Sequence, residues 1–125
     1  MSITSKELIA VAEKARLASY SPYSNFAVGA ALLCADGTVY TGCNIENASY
    51  TPTCCAERVA VFKAVNDGER ELLAIAVTAA PCGACRQVLS EFSDGSLEII
   101  TEDMGEVATH RLDELLPYSF KLTER

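Results

Sequence analysis

The chain has 125 residues, half of them apolar, with 10 basic against 17 acidic side chains, six cysteines and a single histidine. That length suits one domain over residues 1–125; the apolar content excludes a disordered chain, and no apolar run approaches the ~18 residues of a membrane span. The formal charge of −7 disfavours polyanionic partners such as nucleic acid.

The start, Met1 to Glu7, lacks the charged-then-apolar layout of a signal peptide. The cytoplasm is therefore the expected compartment, where cysteines serve as metal ligands or free thiols more often than as disulfides. Thr4-Ser5-Lys6-Glu7 fits a capping box, and Leu8, Val11, Ala12, Ala15 and Ala18 recur at helical spacing. Ser21-Pro22-Tyr23-Ser24-Asn25 ends that helix. The apolar run Ala27 to Cys34 predicts a buried strand. Asp36-Gly37 predicts a hairpin, with Thr38 to Thr41 returning antiparallel. Asn44-Ile45-Glu46-Asn47 reads as a polar loop. Pro52-Thr53 opens a second helix that ends at Asp67-Gly68. Leu72 to Thr78 is a third strand, and Pro81 introduces a third helix running to about Phe92. Leu97 to Ile100 and Glu106 to Arg111 complete five strands, and Leu112 to Leu116 forms one helical turn. The alternation of strands and helices predicts an α/β fold. The hairpin makes its sheet mixed.

Two segments carry chemistry: Cys55-Ala56-Glu57 and Pro81-Cys82-Gly83-Ala84-Cys85. A Cys-x-x-Cys pair at a helix start presents two thiolates to one soft, tetrahedral ion, and the helix N-terminus favours the thiolate form. A third thiolate from Cys55 leaves the fourth position open, as in a catalytic zinc site. Glu57 beside that position is placed to take and return a proton. Three thiolates on Zn²⁺ and one carboxylate sum to an excess of negative charge. Arg58 is the local cation that would offset it, unless it is simply a surface arginine. A structural zinc would need a fourth ligand. Cys43 and Cys54 are the serious rivals for that role, Cys34 reads as a core residue, and His110 as a strand-pairing residue.

These residues resemble the zinc nucleoside and nucleobase deaminase superfamily, and within it the small homotetrameric cytidine deaminases. The likeness covers nearly the whole chain: Ser21 to Ala30, Gly42 to Ala48, Cys55 to Arg58, Pro81 to Gln87, and Leu115-Leu116-Pro117 followed by Phe120. The resemblance implies a three-layer α/β/α sandwich on a five-stranded mixed sheet. It implies one zinc per subunit on Cys55, Cys82 and Cys85, and hydrolytic deamination of cytidine and 2′-deoxycytidine by zinc-activated water, within pyrimidine salvage. Glu57 would carry the proton. Asn44 and Glu46 would hold the ribose, Phe26 would lie against the pyrimidine, and the Ala56 N–H would hold the base O2. Phe120 and Tyr50 would enter the site of a neighbouring subunit of a homotetramer. Two features depart from the family. Cys54 precedes Cys55, with the spacing to Glu57 favouring Cys55 as ligand, and the connection from Ala79 to Pro81 is shorter than usual. A blasticidin S-type deaminase, a polynucleotide deaminase and a non-catalytic zinc domain are the competing readings.

Overall fold

The computed structural model describes residues 3–50 and 52–120. Helix α1 (Ser5–Ala15) is followed by a 3₁₀ turn, Arg16–Ala18, then strands β1 (Gly29–Cys34) and β2 (Val39–Cys43). Helix α2 (Ala56–Asn66), strand β3 (Leu72–Val77) and helix α3 (Gly83–Glu91) come next. Strands β4 (Glu98–Asp103) and β5 (Glu106–Arg111) and the short α4 (Leu112–Leu115) complete the described chain. The capping box forms as expected: the Glu7 N–H donates to the Thr4 hydroxyl at 3.1 Å and the Thr4 N–H to the Glu7 carboxylate at 2.9 Å.

The sheet order is β2-β1-β3-β4-β5. All neighbours are antiparallel except β3 and β4, which are parallel, so the sheet is mixed. Leu32 stands opposite Tyr40 on one side and Ile75 on the other, Ile75 pairs with Ile99, and Ile99 pairs with His110. The histidine is thus a strand-pairing residue. The inner strands read as continuous apolar runs because both faces are covered. Ala31, Ala74, Ala76 and Ile100 face α1, with Leu8, Ile9 and Ala12. Ala30, Leu32, Cys34, Ile75, Val77 and Ile99 face the opposite way, onto Ala56, Ala60, Val61 and Ala64 of α2 and Leu89 of α3. The result is three layers, α/β/α. No helix among the described residues is long and apolar enough to cross a membrane.

Close approach of α2 to the sheet depends on one glycine. A Cβ built on Gly42 would sit 2.3 Å from the Ala56 carbonyl oxygen. That glycine, with the small Ala56 and Ala60, lets the first turn of α2 lie directly on β2.

Two helix starts and one loop depart from the sequence reading in ways that shape the site. Helix α2 begins at Ala56, not Pro52, because Cys54 is held in an extended bridge to Ile45. The same bridge, with a parallel one from Ile45 to Tyr20, fixes the Asn44–Asn47 segment that hydropathy alone reads as an open loop. Helix α3 begins at Gly83, with extended Cys82 as its cap, and Pro81 lies outside.

Candidate active site

Two helix starts converge on one point. Cys55 caps α2 and Cys82 caps α3, each in extended conformation and neither using its side chain as a cap. Their sulfurs therefore face the positive ends of two helix dipoles. Cys85 lies one turn into α3, on the same face as Cys82. The crossover places this point beyond the carboxyl end of β3, where open α/β sheets bind ligands.

The three sulfurs lie within 4.8 Å of one another. Cys55 Sγ and Cys82 Sγ are 3.8 Å apart, and Cys82 Sγ and Cys85 Sγ are 3.4 Å apart. Zinc–sulfur bonds of about 2.3 Å at tetrahedral angles require sulfurs about 3.8 Å apart, so the set fits a zinc ion. No fourth histidine, cysteine or carboxylate joins the group among the described residues. Cys43 and Cys54 stand outside it, Cys34 is buried in the core, and all six cysteines are free thiols. Cys55, and not Cys54, is the sulfur that groups with Cys82 and Cys85.

The electrostatics suit the same ion. The Cys55 thiol is pulled down to about 5, first by a hydrogen bond from Cys85 and then by the Arg58 guanidinium. Arg58 Nη2 lies 3.5 Å from Cys55 Sγ and 3.4 Å from the Thr53 carbonyl oxygen. Its own basicity is raised, first by that sulfur contact, and its buried Nε has no partner. A cationic donor left unpaired beside three sulfurs is what an anionic thiolate cluster would satisfy.

Glu57, the second residue of α2, is only 3% exposed. Burial raises its carboxyl above the ordinary value, and the Cys55 sulfur adds to the rise. The Ala56 N–H beside it is one of the donors that a helix start leaves unused. A cavity of about 150 Å³ opens here, lined by Phe26, Val28, Asn44, Ala56, Glu57 and Ala79, among others. A larger one of about 470 Å³ lies at the amino end of β3, between Leu72 and Leu97, away from the metal-binding sulfurs.

Phe26 is 59% exposed at the cavity wall, so it is not the core phenylalanine that its place before a strand would permit. Asn44 is held from three sides. Its Oδ1 accepts from the Val28 N–H at 2.9 Å and the Ser19 hydroxyl at 2.5 Å, and its Nδ2 donates to the Phe26 carbonyl at 2.8 Å. Glu46 accepts from the Tyr23 N–H at 2.9 Å, the Ser24 N–H at 3.1 Å and the Ser24 hydroxyl at 2.5 Å, which hold its carboxyl below the ordinary value. A second cavity, of about 300 Å³, is lined by Tyr23, Ser24, Glu46, Asn47, Tyr50 and Thr53. Tyr50 is 74% exposed and meets Tyr23 edge-on at 6.4 Å. Phe120 is 59% exposed and lines neither cavity of its own protomer. Sequence reasoning missed Ser19 and Ser24, which hold Asn44 and Glu46, because a serine in a polar turn carries no signal of its partner.

Comparison with known proteins agrees with this site. The family model described as the cytidine and deoxycytidylate deaminase zinc-binding region matches residues 2–101. The chain is 52% identical over 122 residues to a cytidine deaminase of Sporosarcina psychrophila, covering 92% of this chain and 90% of that protein. It is 48% identical over 120 residues to one of Halalkalibacterium halodurans, covering 90% and 91%. Its structure superposes on the crystal structure of a Burkholderia pseudomallei cytidine deaminase with a TM-score of 0.91. The identity there is 48%, over 94% of this chain and all of that one. The sulfur cluster at paired helix starts, the mixed sheet beneath it and these likenesses agree, and the chain belongs to the zinc-dependent cytidine and deoxycytidylate deaminase family.

Proposed function

We propose that this protein, as one deaminase unit over residues 1–125, hydrolyses the exocyclic C4–N bond of cytidine and 2′-deoxycytidine. The products are uridine or 2′-deoxyuridine and ammonia, a step of pyrimidine salvage in the cytoplasm. The observation that carries this reading is Glu57: a buried carboxyl with raised proton affinity, on the helix turn that also bears Cys55. Zinc held by Cys55, Cys82 and Cys85 supplies, when bound, the Lewis acidity that makes water nucleophilic near neutral pH.

Every other part belongs to the chain. The Ala56 N–H donates to the base O2, and the Phe26 ring lies against the pyrimidine. Glu57 takes a proton from water as oxygen bonds to C4, and gives it to N3. It then takes the remaining proton of the added hydroxyl and gives it to the amino nitrogen as the C4–N bond breaks, so that ammonia leaves and the oxygen stays as the C4 carbonyl. Asn44 and Glu46 keep capacity for ribose despite their internal bonds. One Nδ2 hydrogen of Asn44 and one acceptor site on Glu46 stay unused, and these match a hydroxyl acceptor and a hydroxyl donor. Arg58 offsets the negative charge of the thiolates. The exposed aromatic side chains Tyr20, Tyr23, Phe26, Tyr50, Tyr118 and Phe120 are suited to burial between subunits of a homotetramer, with Phe120 and Tyr50 entering a neighbouring site.

The test is the loss of cytosine absorbance when cytidine is added to wild type and to Glu57→Ala at matched zinc content. Removal of the acid–base group should slow turnover at least ~100-fold. Zinc-replete wild type without activity, or an unaffected variant, would overturn the mechanism. Phe120→Ala should raise KM without zinc loss, and a fully active monomer in sedimentation would contradict the shared site.

A further inference from the structure

Helix α3 carries two of the metal-binding cysteines, but it also grips the C-terminal part of the described chain. We propose that Arg86 is a positioning residue that ties the Cys82 ligand to the segment 115–120, so that retention of zinc and order in that segment depend on one side chain. The proposal rests on the zinc site described above and extends it to residues that touch neither metal nor substrate.

The geometry is specific. The Arg86 backbone N–H donates to the Cys82 carbonyl at 3.0 Å, and its side-chain Nε donates to the preceding carbonyl, that of Pro81, at 3.0 Å. Two successive carbonyls are thus held by one residue, which fixes the peptide from which the Cys82 side chain leaves. The far edge of the same guanidinium reaches elsewhere: Nη1 donates to the Leu115 carbonyl at 2.9 Å. Leu115 ends α4, and the last carbonyls of a helix have no partner inside it. The next residue adds a second tie, as Gln87 Nε2 donates to the Phe120 carbonyl at 2.9 Å. Arg86 is partly buried and forms no ion pair among the described residues, and both of these side-chain hydrogen bonds go to backbone carbonyls.

Only a planar fork bridges two carbonyls on opposite edges in this way. A lysine keeps the charge but has a single nitrogen. Without the fork, the Pro81 carbonyl is released from α3 and the Leu115 carbonyl loses its donor. The ligand loop and the segment bearing Phe120 then move independently. Groups that orient a metal ligand typically account for about 10–100-fold in metal affinity. A coupling between two sites acts equally in both directions.

The experiment begins from zinc-loaded wild type, Arg86→Lys and Arg86→Gln. The rate of zinc transfer to a chromophoric chelator is measured alongside amide hydrogen exchange of residues 115–120. Exchange in α1 reports on the fold as a whole. Both variants should release zinc about 10–100-fold faster, and residues 115–120 should exchange at least ~10-fold faster, with α1 unchanged. The lysine variant covers the case in which glutamine fails to fold. Zinc release at the wild-type rate from Arg86→Lys would overturn the proposal, as would faster zinc release with no change at 115–120. A wild type that binds no zinc would overturn the functional reading and this proposal together. Tight zinc in wild type and in both variants would overturn this proposal alone.

Discussion

A single methyl group on Gly42 tests whether the site needs α2 where it lies. The Cβ of an alanine would sit 2.3 Å from the Ala56 carbonyl oxygen, 2.7 Å from the Ala60 nitrogen and 3.1 Å from Val59 Cβ. Ordinary contact begins at 3.4 Å. The first turn of α2 must therefore retreat by about 1 Å, or β2 must bend by as much. That turn holds Cys55, the Ala56 N–H and Glu57 together. A misplacement of about 1 Å costs on the order of 100-fold in rate, and overpacking costs about 1–3 kcal/mol in stability. Gly29→Ala is a matched control. Its added carbon would meet the Ala12 carbonyl oxygen at 2.0 Å and the Arg16 nitrogen at 2.6 Å, on the face that α1 covers. Both variants should melt at lower temperature. Only Gly42→Ala should lose about 100-fold in kcat/KM for cytidine at full zinc content. Equal losses in the two variants, or a Gly42→Ala enzyme of wild-type activity, would refute the reasoning.

Two further outcomes are expected. Cys55→Ser should lose zinc on gel filtration while Cys54→Ser keeps it, measured as metal per protomer; the reverse pattern would reassign the ligand. Burial, with Glu69 and Asp36 adding, pushes the Cys34 thiol from the ordinary 9.0 up to about 11. The folded state thus holds this proton more tightly than the unfolded state does. Its contribution to stability is complete below about pH 9 and is lost as pH rises toward 11. Denaturant midpoints at pH 8, 10 and 11 should fall more steeply for wild type than for Cys34→Ala, and parallel curves would remove Cys34 as a cause.

Much of this molecule is legible from local chemistry. The Thr4/Glu7 capping box, the Asp36-Gly37 hairpin and β5 at Glu106–Arg111 each follow from a few neighbouring residues, and each forms as expected. The grouping of the Cys55, Cys82 and Cys85 sulfurs was legible because thiolates that are to share one ion must fall at restricted spacings. Helix starts were less so. Pro52 and Pro81 are good first residues of a helix by local rules, yet both lie outside one. The chain around Cys54 and Cys82 is kept extended so that Cys55 and Cys82 cap their helices and face the site. Tertiary demand there outweighs local preference. The internal bonds of Asn44 and Glu46 were hidden for another reason. Their partners, Ser19, Ser24 and Val28, lie about 16–25 residues away in sequence and belong to a turn whose shape no short-range pattern encodes.

The parallel pairing of β3 with β4 sets an order of assembly during synthesis. All three metal-binding thiols and Glu57 precede β4 in the chain, as do β1, β2 and β3. At about 5–20 residues per second, a growing chain carries them for roughly a second before β4 follows. Through that interval the sheet ends at β3, whose free side is an edge open to unwanted strand pairing. The β4–β5 hairpin brings no metal ligand, but it closes that edge. The chemistry of this protein is thus translated first, and the hairpin that shields it from aggregation follows.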